Sequence, residues 1–159
     1  MLSIGACVVG SLEQSFYIEL KPINDNFIAE ALQVSRFSLD SLKKTGVDPA
    51  IGMETFCKWI DNTAIGSVPV FIGFNAPFDW QFVNWYFYVY LKKNPFGIKA
   101  IDIKAYYMGL TGSTWTDTSS SRLPSWLQPV NPNKHNALDD AIAQAEIFNK
   151  LLTIDRRNN

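Results

Sequence analysis

The feature that most constrains the fold of this chain is a short apolar segment, VPVFIGF at 68–74, that leads through an Asn and a Pro into a helix. An apolar run of this length, ended by such residues, is typical of a buried strand. Pro77 suits the first turn of the helix, predicted from about 77 to 92, because its missing N–H would have no partner there. The residues that follow are almost all aromatic or apolar, yet Asp79 puts a carboxylate into the first turn. This unit predicts a strand and a helix packed inside an α/β domain, with one charge that requires an explanation.

Other segments show the apolar runs or helical periodicity of further elements. Strands are predicted at 2–9, 15–21 and 97–101. Helices are predicted at 38–46 with Ser38 as its cap, at 49–64 with Pro49 in its first turn, from the cap Asp102 to about 109, and from about 135 to 152. The polar composition of 111–134 predicts a long loop with one short helix. An initial hairpin followed by alternating strands and helices predicts one α/β domain over 1–159, with a mixed sheet and helices on its faces.

Composition limits the classes of protein to which the chain can belong. With 159 residues, 47% of them hydrophobic, the chain is long enough for one domain that buries about 68–70% of its unfolded surface. A net charge of −1 disfavours binding along duplex nucleic acid but leaves local binding of a strand end open. Cys7 and Cys57 stand in apolar segments, which indicates reduced thiols and a cytoplasmic protein. Residues 1–10 lack a basic leader and are too short to span a bilayer, so no membrane partner is expected.

Asn75 and Asp79 bracket the exit of the apolar strand. An Asp in the first turn of a helix is commonly a helix-start residue, stabilised by unpaired N–H groups and by the positive end of the helix dipole. The alternative is a ligand-binding role, because ligands collect at the carboxyl ends of strands in open α/β sheets. The position of Asp79 fits both interpretations.

The final helix carries two adjacent aspartates, and helical phase separates them. At about 100° per residue, Asp139 falls on a charged face, whereas Asp140 falls among small and apolar side chains. Asp140 is therefore predicted to face the body of the protein, where a carboxylate needs neighbouring donors or a cation. His135 is the only His in the chain. A lone His is usually structural, but one beside two inward carboxylates fits a general base for water.

Three segments of the chain, taken in order, match the motifs of one known family. LSIGACVV followed by FYIELKP resembles the second and third strands of its members, FNAPFDWQFV resembles their N-x-x-F-D-x-x-F segment, and HNALDDAIAQAEIF resembles their H-x-A-x-x-D-A-x-x-x-A segment. Together these patterns resemble the DEDD-type 3′-to-5′ exonucleases of the ribonuclease H-like fold, in the subgroup with a His in an H-x-x-x-x-D pattern. The resemblance implies a mixed sheet with helices on both faces.

The resemblance also implies roles for individual residues. Asp79 and Asp140 would bind two divalent ions, Mg²⁺ or Mn²⁺, about 4 Å apart, and His135 would activate the attacking water. The implied catalytic set is thus His135, Asp79 and Asp140. Asn75 and Phe78 would contact the substrate, with Phe78 stacking on a terminal base. The implied reaction is hydrolysis of the terminal phosphodiester of single-stranded or short DNA or RNA, which releases a nucleoside monophosphate.

One catalytic segment of that family, a D-x-E on its first strand, has no counterpart here, because no D-x-E occurs in the sequence. In the family this strand lies between the strands that match 2–9 and 68–74. We expect its absence to leave unpaired backbone on both neighbours and to weaken metal binding and nuclease activity. A sequence truncated at its start is the expected explanation. Direct pairing of the two strands, or completion by another chain in a homodimer, are the alternatives.

Two classes of function follow from these observations. The first is a metal-dependent 3′-to-5′ exonuclease, impaired by the loss of two carboxylates. The second is a non-catalytic nucleic-acid-binding or interaction module that keeps the fold. A phosphatase with an Asp nucleophile is disfavoured, because no D-x-D occurs at a strand end.

Overall fold

The computed structural model describes residues 1–130 and 136–154 and has a mixed α/β architecture. Its strands are β1 (Ser3–Val8), β2 (Ser11–Glu19), β3 (Phe71–Gly73) and β4 (Ala100–Asp102). Its α-helices are α1 (Ala29–Ser35), α2 (Leu39–Thr45), α3 (Pro49–Thr63), α4 (Ala76–Leu91), α5 (Ile103–Thr111) and α6 (Ala137–Leu152). Three short 3-10 turns follow α5, at Trp115–Thr118, Ser120–Arg122 and Ser125–Leu127. Within the described residues, no helix is both long and apolar enough to cross a membrane.

Side-chain caps explain where several helices begin. Ser38, Asp48, Asp102 and Asn136 each accept a hydrogen bond from a backbone N–H in the first turn of the helix that follows. The caps predicted at Ser38 and Asp102 are confirmed. The final helix begins at Ala137 rather than at the predicted residue 135, because Asn136 is extended and its side chain caps the helix.

The described strands form two separate pairs. β1 pairs antiparallel with β2, with Ile4 opposite Ile18, and β3 pairs parallel with β4, with Gly73 opposite Asp102. Direct pairing of β1 with β3, one of the alternatives drawn from the sequence, is absent from the described part of the chain. The α/β class is confirmed, whereas a single ribonuclease H-like sheet stays a prediction.

Helices cover both faces of the β1–β2 pair. Successive side chains of a strand point to opposite faces. Ile4 belongs to an apolar cluster that α3 and α4 build, while the Sγ–H of Cys7 donates to the backbone carbonyl of Ala141 on α6, at 3.6 Å. Gly5 also faces α6, and the backbone of Ala137 leaves no room there for a side chain. The first turn of α6 therefore lies directly against β1.

The same two helical layers continue at β3. Phe71 packs against the apolar cluster of α3 and α4, and Ile72 packs against a second cluster that contains residues of α5 and α6. Alternation along the strand thus places β3 between the same layers as β1. The two strand pairs share their layers, although β1 and β3 do not pair.

Several predicted boundaries are wrong. β2 begins at Ser11 rather than at the predicted residue 15, so the hairpin turn is shorter than expected. The strand predicted at 68–74 is limited to Phe71–Gly73, and Val68 and Val70 are exposed. Helix α1 was not predicted, and none of its residues is buried.

Candidate active site

A cavity of about 1070 Å³ opens between β1 and β3. Residues of both strands line it, together with the segment of α1 and the aromatic side chains of Phe78 and Phe82 on α4. Asp79 and Asp140 line the same cavity. The two carboxylates singled out from the sequence therefore meet at one opening, although they are far apart along the chain.

Asp79 lies in the first turn of α4, just beyond the end of β3, and is half-buried. Burial raises the pKa of its carboxyl above the ordinary value of 3.8, and the negative charge of Asp140 raises that pKa further. Both carboxylates also line the same cavity. Because two like charges in one site disfavour ionisation of both groups, a bound cation would stabilise the pair.

Asp140 lies in the first turn of α6, and its backbone N–H donates to the carbonyl of Asn136 at 2.9 Å. Asp140 lines the cavity, whereas its neighbour Asp139 is absent from the lining. Like Asp79, it lies at the N-terminal end of a helix, where the dipole favours negative charge. Two helix N-termini therefore direct their acidic first turns to one cavity.

Asn75 forms the turn between β3 and α4. Its backbone is left-handed, with φ 64° and ψ 47°, and its side chain makes no capping hydrogen bond. Asn tolerates this conformation better than most residues. The backbone of the turn is therefore a structural reason for an Asn at position 75, in addition to the predicted substrate contact. The side chain is exposed at the entrance to α4.

Phe78 lies one residue before Asp79 and is 59% exposed. Its ring packs edge-on against Phe82, with 5.5 Å between ring centroids. Trp80 instead packs inward against Phe71, with 5.3 Å between centroids. Phe78, Phe82 and Phe71 line the cavity, whereas Trp80 is not part of its lining.

Two hydrogen bonds that the sequence did not predict hold the backbone around these carboxylates. Asp102 Oδ2 accepts from the backbone N–H of Ala76 at 2.6 Å, and Gln144 Oε1 accepts from the backbone N–H of Phe74 at 2.8 Å. The sequence identified Asp102 only as a cap of α5. The available signal for Gln144 was its spacing of four residues from Asp140, which places both on one face of the helix.

The donor chemistry of the cavity suits a hard divalent ion but gives an incomplete ligand set. Carboxylate oxygens are the ligands that Mg²⁺ and Mn²⁺ prefer. Within residues 1–130 and 136–154, no cluster of three or more His, Cys, Asp or Glu side chains is arranged to hold a metal ion. His135, the predicted base, lies outside the described residues. Two carboxylates alone would leave the octahedral set that such an ion requires incomplete.

Comparison with known proteins gives a match over most of the chain. Over 149 residues the sequence is 46% identical to the 3′-5′ DNA exonuclease Cap18 of Escherichia coli, and the match covers 93% of this chain and 80% of that protein. No family model matches. A match of this length must span the segments that carry Asp79 and Asp140.

Proposed function

Because this chain belongs to the family of the 3′-5′ DNA exonuclease Cap18, we propose that it acts on DNA as a 3′-to-5′ exonuclease. One structural observation carries the proposal: Asp79 and Asp140, each at a helix N-terminus, line one cavity and interact electrostatically. Paired carboxylates of this kind hold the metal ions that promote phosphodiester hydrolysis. The proposed products are a nucleoside monophosphate and a DNA strand shortened at its 3′ end.

Each site residue has a proposed role. Asp79 and Asp140 bind Mg²⁺ or Mn²⁺, which when bound stabilises the charge that develops on the entering and leaving oxygens. His135 takes the proton from the attacking water. Phe78 stacks on the terminal base, and Asn75, exposed at the start of α4, contacts the terminal nucleotide.

The proposed reaction needs further carboxylates, and the cavity has room for a strand that carries them. Among the described residues, β1 and β3 each pair on one edge alone. With a rise of about 3.3 Å per residue, a spacing of about 4.8 Å between strands and about 10 Å between layers, a strand of about six residues fills about 950 Å³. The cavity measures about 1070 Å³. We therefore propose that a strand with the remaining metal-binding carboxylates pairs between β1 and β3.

The proposed substrate is a single-stranded 3′ end. The net charge of −1 provides no extended cationic surface for a duplex, whereas the exposed rings of Phe78 and Phe82 offer a stacking surface. The name of the relative specifies DNA, which favours DNA over RNA. On this proposal, the protein binds the DNA through contacts with the terminal nucleotide.

A non-catalytic nucleic-acid-binding module is the second candidate. The incomplete ligand set of the described residues favours it, because fewer carboxylates hold a hard cation less tightly. Both candidates use the same cavity and differ in whether the bound strand is cut.

A labelled single-stranded oligonucleotide distinguishes these functions. With Mn²⁺, we expect this chain to remove nucleotides slowly from the 3′ end. We expect faster removal by a protein in which a strand that carries D-x-E is fused to the chain. Asp79→Asn and Asp140→Asn should abolish cleavage, whereas Asp139→Asn, outside the cavity lining, should not. Binding without cleavage by both versions would establish the module instead, and cleavage from the 5′ end would exclude the proposed polarity.

A further inference from the structure

The side chain of Gln144 joins α6 to the junction between β3 and α4. Its Oε1 accepts a hydrogen bond of 2.8 Å from the backbone N–H of Phe74. Gln144 lies one helical turn beyond Asp140, and Phe74 leads into the turn that begins α4 and carries Asp79. The bond thus connects the two segments that present the carboxylates of the cavity.

Phe74 is the first residue after β3, and its N–H lies on the side of the chain that faces away from β4. Phe71 donates its N–H to the carbonyl of Lys99, on the β4 side, at 3.2 Å. Backbone groups of successive residues in a strand alternate between its two edges. Continued one residue beyond the end of β3, this alternation directs the N–H of Phe74 to the opposite edge. Gln144 supplies there an acceptor that a neighbouring strand would otherwise provide.

The bond between Gln144 and Phe74 links two parts of the structure that form separate sheets, the β1–β2 pair and the β3–β4 pair. Two close contacts of α6 near Asp140 go to β1: the Cys7 thiol donates to Ala141, and Gly5 approaches Ala137. They fix α6 on the β1 half of the structure. Because β1 and β3 are not hydrogen-bonded to each other among the described residues, their spacing on the α6 face depends on contacts that reach from α6 to β3, such as this bond and the packing of Ile72.

We propose that Gln144 is a positioning residue for the Asp79–Asp140 pair. Its amide oxygen holds the end of β3, and with it the start of α4, at a fixed place beside the first turns of α6. The claim that this placement helps the two carboxylates to bind metal rests on the proposed function. The placement of β3 by Gln144 does not depend on that function. The required group is the oxygen, since a backbone N–H can only donate.

Two substitutions separate the hydrogen bond from the volume of the side chain. Gln144→Met keeps the length of the side chain and removes the amide oxygen, whereas Gln144→Glu keeps an acceptor. Gln128→Met is the matched control, because Gln128 Nε2 donates to the backbone carbonyls of Ser120 and Leu123 in the long polar segment. All three are compared without metal, in the chain as it stands.

Two measurements test the proposal. Amide hydrogen exchange of Phe74 should become several-fold faster in Gln144→Met and stay slow in Gln144→Glu and Gln128→Met. The second measurement is the coupling between Asp79→Asn and Asp140→Asn, taken from the urea midpoints of the single and double variants, because this coupling separates the repulsion between the two carboxylates from the effect of burial. That coupling should fall by half or more in the Gln144→Met background, and should persist in the Gln144→Glu and Gln128→Met backgrounds.

The two possible failures are distinguishable. Unchanged exchange at Phe74 in Gln144→Met, or an unchanged coupling between Asp79→Asn and Asp140→Asn in that background, would overturn the positioning role. Neither measurement uses metal or DNA. A chain that shows both expected effects but never cleaves DNA would refute the proposed exonuclease and still support the role of Gln144.

Discussion

Asp102 Oδ2 accepts a hydrogen bond of 2.6 Å from the backbone N–H of Ala76, the first residue of α4. The other carboxylate oxygen of Asp102 accepts from Ala105 at 2.8 Å and caps α5. One side chain thus fixes the starts of two helices. Asp79 lies in the first turn of α4, so the position of a proposed metal ligand depends on a residue at the end of the neighbouring strand.

We predict that Asp102→Ala lowers the free energy of unfolding by about 2–4 kcal/mol. Loss of a helix cap costs about 1 kcal/mol, and the buried N–H of Ala76, left without an acceptor, costs about 1–3 kcal/mol more. Asp48→Ala is the control, because Asp48 accepts from the first turn of one helix only and should cost about 1 kcal/mol. Urea unfolding measures both values, and equal losses would contradict the double role of Asp102.

Asp79→Asn should stabilise the metal-free chain at neutral pH. The pKa of Asp79 is raised in the folded state by burial and by the charge of Asp140, so the ionised carboxylate is unfavourable there. Asn has nearly the same shape and carries no charge. The expected result is a higher urea midpoint at pH 7, and a lower midpoint would show that the carboxylate is held by favourable contacts instead.

The same raised pKa predicts how the stabilisation depends on pH. The folded chain binds this proton more tightly than the unfolded chain, so the favourable contribution of Asp79 is complete below its ordinary value of 3.8 and is lost as pH rises through the folded pKa. The advantage of Asp79→Asn should therefore vanish at low pH and grow toward neutrality. A constant advantage across this range would contradict the assignment.

Gly5 and Gly109 should respond in opposite ways to the same substitution. A Cβ at Gly5 would overlap the backbone of Ala137 and Leu138, while a Cβ at Gly109, exposed in α5, would meet nothing. Gly5→Ala should destabilise by about 1–3 kcal/mol or more, whereas Gly109→Ala should stabilise by about 0.5–1 kcal/mol. Thermal unfolding measures both, and a harmless Gly5→Ala would mean that α6 does not lie against β1.

Local signals in the sequence predicted much of the fold, because caps and periodicity act over a few residues. Ser38, Pro49 and Asp102 each mark the start of a helix in the structure as predicted. Helix α1 was not predicted, because none of its residues is buried and its sequence shows no clear apolar stripe. The lengths of β2 and β3 depend on pairing partners elsewhere in the chain, which sequence periodicity does not reveal.

In the candidate site, too, local features were predicted from the sequence and contacts between distant residues were not. Asp79 and Asp140 were found from a strand exit and from helical phase, both of which are local. The hydrogen bonds of Gln144 to Phe74 and of Asp102 to Ala76 join residues 70 and 26 positions apart, and single-sequence patterns carry no information about such pairs. His135 lies outside the described residues, so its role stays a prediction.

The final prediction concerns the edges of β1 and β3 that face the cavity. Open strand edges associate with other strands unless charge or a covering segment prevents it, and the exposed apolar residues Phe27 and Val70 line the same opening. We therefore expect light scattering to show that the mass of the chain increases with concentration, as in the homodimer considered from the sequence. Val70→Lys should reduce this association by placing a charge at the start of β3, whereas Val130→Lys, at an exposed residue away from the cavity lining, should not. A constant monomer mass over a wide concentration range would contradict association through these edges, and equal effects of the two substitutions would place the contact elsewhere on the surface.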